Sequence, residues 1–157
     1  MLCYSPCCMR QSLCKIGAFV AHLVLFLPLA PAPAGAAEGR CALLSLEEAA
    51  EGLGFAVRPG VISPSGTSCQ WAARERANAF VEVQVLNDPG TWAAPSLAPG
   101  FRRVKGIGTE AYVVPDSRGW AGGALIENRA IAIAISGGDT NAERATALLR
   151  LVAERLQ

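Results

Sequence analysis

A chain of 157 residues with 52% hydrophobic and only 6% aromatic side chains can build one compact core, filled mainly by alanine, valine, isoleucine and leucine, and such a composition excludes disorder. Lysine plus arginine number 14 against 13 aspartate plus glutamate, so there is no bulk basic field of the kind that holds nucleic acid or an anionic bilayer.

Residues 16–30 (IGAFVAHLVLFLPLA) form an apolar run interrupted only by His22, preceded by Arg10 and Lys15 and followed by a Pro/Ala/Gly stretch. That three-part layout is a secretory signal. A membrane-spanning helix needs about 20 apolar residues, and Pro28, Pro31 and Pro33 break this run where it would have to continue. Small residues at Ala34 and Ala36 place cleavage after Ala36. The expected organisation is a signal peptide over 1–36 and a single extracytoplasmic domain over 37–157, periplasmic or secreted, with no membrane span after cleavage. Met9 opens a more ordinary signal than Met1 and is the alternative start. Loss of Arg10 and Lys15 leaves twelve basic against thirteen acidic residues.

Six cysteines become two, Cys41 and Cys69, and the single histidine, His22, departs with the signal. In an oxidising compartment a lone pair favours a disulfide, here closing a loop of about 29 residues for roughly 3.5 kcal/mol on the chain-entropy estimate. Free or redox-active thiols are the alternative, without a C-x-x-C spacing to support them. A mature chain without imidazole excludes Ser-His-Asp and Cys-His catalysis, ordinary zinc hydrolase sites, haem on an axial histidine and a histidine pH switch.

Ser45 and Glu48 make a capping box, and Leu43, Leu46, Ala49, Ala50 and Leu53 share one helical stripe before Gly54, which predicts a helix over 44–53. After a short extended piece at 55–58 and a Pro/Gly/Ser loop at 59–67, two alternating segments, 68–74 and 79–86, read as an antiparallel hairpin with one wet face. The period fails from 87 to 100, a long excursion rich in proline and glycine. Gly106 and Gly108 lead into a strand at 110–114, ended by Pro115. Extended segments at 120–127 and 130–136 follow, joined by a turn at Asn128 and Arg129. In the last strand Ile131, Ile133 and Ile135 alternate with alanines, so it is expected to be central, with a helix over its alanine side. Asp139 or Thr140 is the expected cap of a final helix, with Glu143 completing a second capping box. Ala145, Leu148, Leu149, Val152 and Leu156 form its buried stripe, and Arg144, Arg150 and Arg155 its solvent side. The fold class is α+β: an antiparallel sheet of five or six strands with an N-terminal and a C-terminal helix packed on one face.

Cys41-Ala42-Leu43-Leu44, Cys69-Gln70-Trp71 and Gly106-Ile107-Gly108-Thr109-Glu110-Ala111-Tyr112, in that order and spacing, resemble a family of small secreted or lipoprotein α+β domains of unassigned function from actinobacterial envelopes. There is a weaker likeness to extracellular sensor domains of bacterial receptor kinases. The resemblance covers nearly all of 41–157. It implies a Cys41–Cys69 disulfide and an extracytoplasmic domain, and no catalytic residue. The chain departs from the lipoprotein members in having no cysteine in an acylation box.

Among carboxylates, Glu47, Glu48 and Glu51 read as the solvated face of the first helix. Glu82 and Glu127 are the one pair that a wet sheet face would bring together for acid/base chemistry. The sole basic knot, Arg102, Arg103 and Lys105, stands beside Phe101 and close to Trp92. These five residues in the 87–106 excursion are the candidate binding surface, set against an ordinary solvated turn with Trp92 folded back on the core. No cofactor or metal is expected. The leading expectation is a non-enzymatic binding or interaction module for an envelope protein or a small anionic ligand. A small-ligand sensor or carrier is the alternative, and a carboxylate-dependent enzyme the third reading.

Overall fold

The computed structural model describes residues 39–90 and 92–157. The expected signal segment over 1–36, with His22 and the expected cleavage site after Ala36, lies outside the described residues. A turn of helix at residues 39–41 brings Cys41 to Cys69, and the two are joined in a disulfide with Cα atoms 5.3 Å apart. Arg40 reinforces this junction by donating to the carbonyls of Thr67 (3.2 Å) and Val85 (2.6 Å). Helix α1 (Leu46–Leu53) opens on the capping box expected from the sequence: the Ser45 hydroxyl accepts the Glu48 N–H, and the Glu48 carboxylate accepts the Ser45 N–H. Two donors without intrahelical partners are thereby satisfied, which fixes the start of the helix two residues later than its apolar stripe suggests.

Seven strands follow: β1 (Val61–Ile62), β2 (Ser68–Ala72), β3 (Phe80–Leu86), β4 (Arg102–Arg103), β5 (Glu110–Asp116), β6 (Gly119–Ile126) and β7 (Arg129–Ser136), and the chain closes with α2 (Ala142–Glu154). All pair antiparallel in one sheet of order β1-β2-β3-β7-β6-β5-β4. Seven replaces the expected five or six because β1 and β4 are two residues each. They lie in Pro/Gly-rich stretches where no local period survives; pairing with β2 and β5, not side-chain alternation, makes them strands.

β7 occupies the middle of the sheet. Its Ile131, Ile133 and Ile135 stand in register with Val85, Val83 and Val81 of β3 and are 0–2% exposed. α2 lies against β5, β6 and β7, α1 against β3, β7 and α2, and the buried side chains of both helices join the isoleucines in one core. The isoleucine side, rather than the alanine side expected to carry a helix, is therefore turned to the core. Ala132 and Ala134 are half-buried and stand beside Gln84 and Glu82 on β3 and beside Gly123 and Ala121 on β6. Small and polar groups of that kind offer far less apolar area for a helix to remove from water than a row of valine and isoleucine does.

The cap of α2 is also corrected. Asn141, not Asp139 or Thr140, accepts the Arg144 N–H at 2.9 Å, which puts Arg144 rather than Glu143 at the third helical position. Gly137 and Gly138, with φ of 76° and 82°, carry the chain through two successive left-handed residues and delay the helix. Its buried residues are Ala142, Ala145, Leu148, Leu149, Val152 and Ala153, with Leu156 packed partly buried beside them. Arg155 is exposed, as expected, and also reaches across to the start of α1: it donates to the Leu43 carbonyl (2.6 Å) and to both oxygens of Glu48 (2.6 and 2.7 Å).

Candidate binding groove

Among the described residues β4 is the last strand of the sheet and pairs only with β5. Its register sets Arg102 opposite Val113 and Arg103 opposite Tyr112. Successive residues of a strand face opposite ways, so the two arginines leave on different sides. Arg102 goes to the side of Val113, which is buried in the core, and there α2 forms the opposite wall of a groove of about 530 Å³. Val104, Val113, Ala142 and Ala147 line it with apolar surface; Thr146, Glu143, Arg102, Arg103 and Arg150 supply its polar groups. Two guanidinium groups, those of Arg102 and Arg150, against one carboxylate, that of Glu143, give the groove a local positive balance, with Arg103 at its rim.

The Arg102 guanidinium lies 5.6 Å from the centroid of the Trp120 ring, a cation–π placement that steadies its plane while leaving N–H groups at its edge for an acceptor. Among the described residues neither Arg102 nor Arg150 makes an ion pair or a side-chain hydrogen bond. Arg103 approaches Glu110 at 3.6 Å with its side chain 67% exposed, a pair that solvent and salt screen strongly.

On the other side of the sheet the excursion folds back. Trp92 and Phe101 flank Tyr112, with ring centroids 5.9 and 5.6 Å from it. The Tyr112 ring lies over Gly123, where any Cβ would overlap it. Partial burial among these groups holds the Tyr112 hydroxyl pKa above its ordinary value. Of the five residues in the expected binding surface, Trp92 and Phe101 thus meet through Tyr112, whereas Arg102 faces the helix. Arg103 is shared between the groove rim and Glu110, and Lys105 is exposed in the turn between β4 and β5. Local sequence pattern does not mark Tyr112, Trp120, Thr146 or Arg150 as members of a site. The helical period places Arg150 on the solvent side of its helix, and it is exposed; what the period cannot tell is that this flank overlooks β4.

The carboxylates expected to pair do not converge. Glu82 stands beside Ala134, while Glu127 sits in the turn beyond the Ile126–Arg129 pair, at the far end of the same strands. Five or more residues at about 3.3 Å each separate them along the sheet. Glu48 is engaged by Arg155, whose guanidinium holds its carboxyl below the ordinary carboxylate range. A second groove of about 390 Å³, between α1 and α2, is lined by Glu48, Glu51, Arg144 and Leu151 among others; its charges oppose one another, and Glu48 already has its partner. Among the described residues there is no group of three or more His, Cys, Asp or Glu side chains placed to hold a metal ion, and no helix is long and apolar enough to cross a membrane. No protein-family model matches the chain, and no curated protein is detectably similar to it.

Proposed function

We propose that the chain is an exported binding module that acts without catalysis and captures an anionic ligand, or the acidic face of an envelope partner, in the groove between β4 and α2. The observation that carries this reading is the convergence of Arg102 and Arg150 on an apolar-floored groove with Arg103 at its rim and a single opposing carboxylate, Glu143. Export is supported by the signal-like run at 16–30 and by the Cys41–Cys69 disulfide, a bond that persists in oxidising compartments. With both helices on the isoleucine face, the β4 edge and the flank of α2 remain open to a partner. The sensor or carrier reading uses the same groove, whose volume lies in the range of small-ligand sites, roughly 300–1,000 Å³.

Retention on immobilised poly-L-glutamate at low salt tests the proposal. Wild-type protein is expected to be retained and Arg102→Glu with Arg150→Glu to flow through with an unchanged thermal midpoint. Equal retention of the two proteins would remove the groove as the recognition surface. Native mass spectrometry of the exported protein separates the two versions of the reading, because a carrier would bring a small molecule with it.

A further inference from the structure

We infer that the β4 edge takes an extended acidic peptide as an added strand, its carboxylates lying between Arg102 and Arg150. This deepens the groove reading above and rests on it. The backbone supplies the first argument. Val104 donates its N–H to the Ala111 carbonyl at 2.9 Å, and Arg102 stands opposite Val113 two residues earlier on the same ladder. Bonded pairs alternate in an antiparallel ladder, so Arg103, between them, turns its own N–H and C=O outward, away from β5. Among the described residues no strand meets that edge. It is an open donor and acceptor pair beside a groove.

The side chains decide what can use it. An exposed edge invites any extended chain, and proteins restrict the invitation with short strands and charged residues. Here the strand is two residues long and both are arginine. A basic or plainly apolar strand is disfavoured, whereas a strand bearing carboxylates finds partners. Side chains of an added strand alternate, with those on one side about 7 Å apart. One set would face Arg102, Arg150 and the apolar floor formed by Val113 and Ala147; the other would face Arg103. A segment alternating acidic and β-branched residues turns every carboxylate to Arg102 and Arg150 and every β-branched side chain to the other side, where Arg103 already stands beside Glu110. The opposite edge, β1, lacks this chemistry: Val61 is 69% exposed there, and the strand lies between Pro59 and Pro64 with no cation on it.

The test uses a fluorescein-labelled hexapeptide alternating glutamate and valine, the same peptide N-methylated along its backbone, and a version with glutamine for glutamate. Anisotropy titration of the mature protein should show binding of the first, weakened about tenfold or more (1.4 kcal/mol) by N-methylation, by glutamine replacement, or by Arg102→Gln with Arg150→Gln. Exchange of the Arg103 amide proton should slow when the first peptide is added. If the N-methylated peptide binds equally well and Arg103 exchange is unchanged, strand addition is overturned while the anionic groove stands. Strand addition is likewise overturned, and the groove kept, if the hexapeptide fails to bind a protein that is retained on poly-L-glutamate. Failure of both the hexapeptide and poly-L-glutamate to bind overturns the groove reading as well.

Discussion

On the flank of the sheet near β2 and β3, Arg40 reaches the carbonyls of Thr67 and Val85 and Arg74 reaches that of Val57 at 3.0 Å, whereas on the β4 flank Arg102, Arg103 and Arg150 meet no carbonyl oxygen among the described residues. The contrast has a structural origin. The Val57 carbonyl belongs to an isolated bridge, Val57 with Ala73, and the Val85 carbonyl lies just past the last β2–β3 pair, Ser68 with Gln84, so each takes an arginine donor; the Thr67 carbonyl already accepts the Val85 N–H at 3.1 Å, and Arg40 adds to it. Beside β4 the neighbouring backbone belongs to the β4–β5 ladder and to the interior of α2, where acceptors are already satisfied, the outward Arg103 carbonyl excepted. One residue type, in similar numbers on each flank, is thus structural on one and available on the other. Net charge near zero conceals this division.

The comparison can be broken most forcefully at the disulfide. Cys41→Ser with Cys69→Ser should lower stability by about 2–5 kcal/mol in denaturant titration and leave poly-L-glutamate retention intact under native conditions. Loss of retention in a variant that is still folded would mean that the two flanks are not independent. Thiol titration of the untreated mature protein should find neither cysteine reactive.

Arg40→Met is the next largest. It leaves the partly buried Val85 carbonyl without its side-chain donor, while the Thr67 carbonyl keeps the Val85 N–H, and should cost about 1–3 kcal/mol. A cost under about 0.5 kcal/mol, the range of ordinary surface changes, would erase the distinction between the two sets of arginines.

Glu48→Gln sharpens the picture through pH. Arg155 holds the folded-state pKa of Glu48 below its ordinary value, so the stabilisation is fully present above the unfolded carboxylate value, about 4.3, and disappears as pH falls through the lower folded value. The wild-type advantage over the variant should be at most about 1 kcal/mol at neutral pH for this partly exposed pair, and should shrink on acidification below roughly pH 5. Thermal midpoints across a pH series check this; an advantage that grows on acidification would contradict it. Smallest of all, Arg150→Gln should shift stability by no more than about 0.5 kcal/mol in the same melts, since nothing in the fold leans on that side chain.

What is legible in the sequence is local. The Ser45–Glu48 box, the hairpin of β2 and β3 and the buried stripe of α2 each announce themselves within about twenty residues by spacing alone. The pairing of Cys41 with Cys69 is legible too, because elimination leaves only two thiols. What escapes depends on partners distant in the chain. β1 and β4 are strands because of β2 and β5. The side of β7 that faces the core is decided by the valines of β3, and Arg150 enters the groove only because β5 and α2 bring β4 beneath it. The cap at Asn141 escapes for a local reason, since two consecutive left-handed glycines shift a helix start in a way that no cap preference anticipates.

The order of the strands has a consequence for how the molecule assembles. β1, β2 and β3 are consecutive in the chain and adjacent in the sheet, and so are β4, β5, β6 and β7; among the described residues the only long-range strand pairing joins β3 to β7, as in Val83 with Ile133, fifty residues on. The polypeptide is therefore two meanders meeting along one seam, with the disulfide tying the helical turn before α1 to β2 of the first. Each meander can form from short hairpin closures, and the slow event is bringing the two together across the intervening loop. A nick in the excursion between β3 and β4 severs no strand, so the two pieces retain every contact needed to find each other again, and the seam becomes an interface between separate chains.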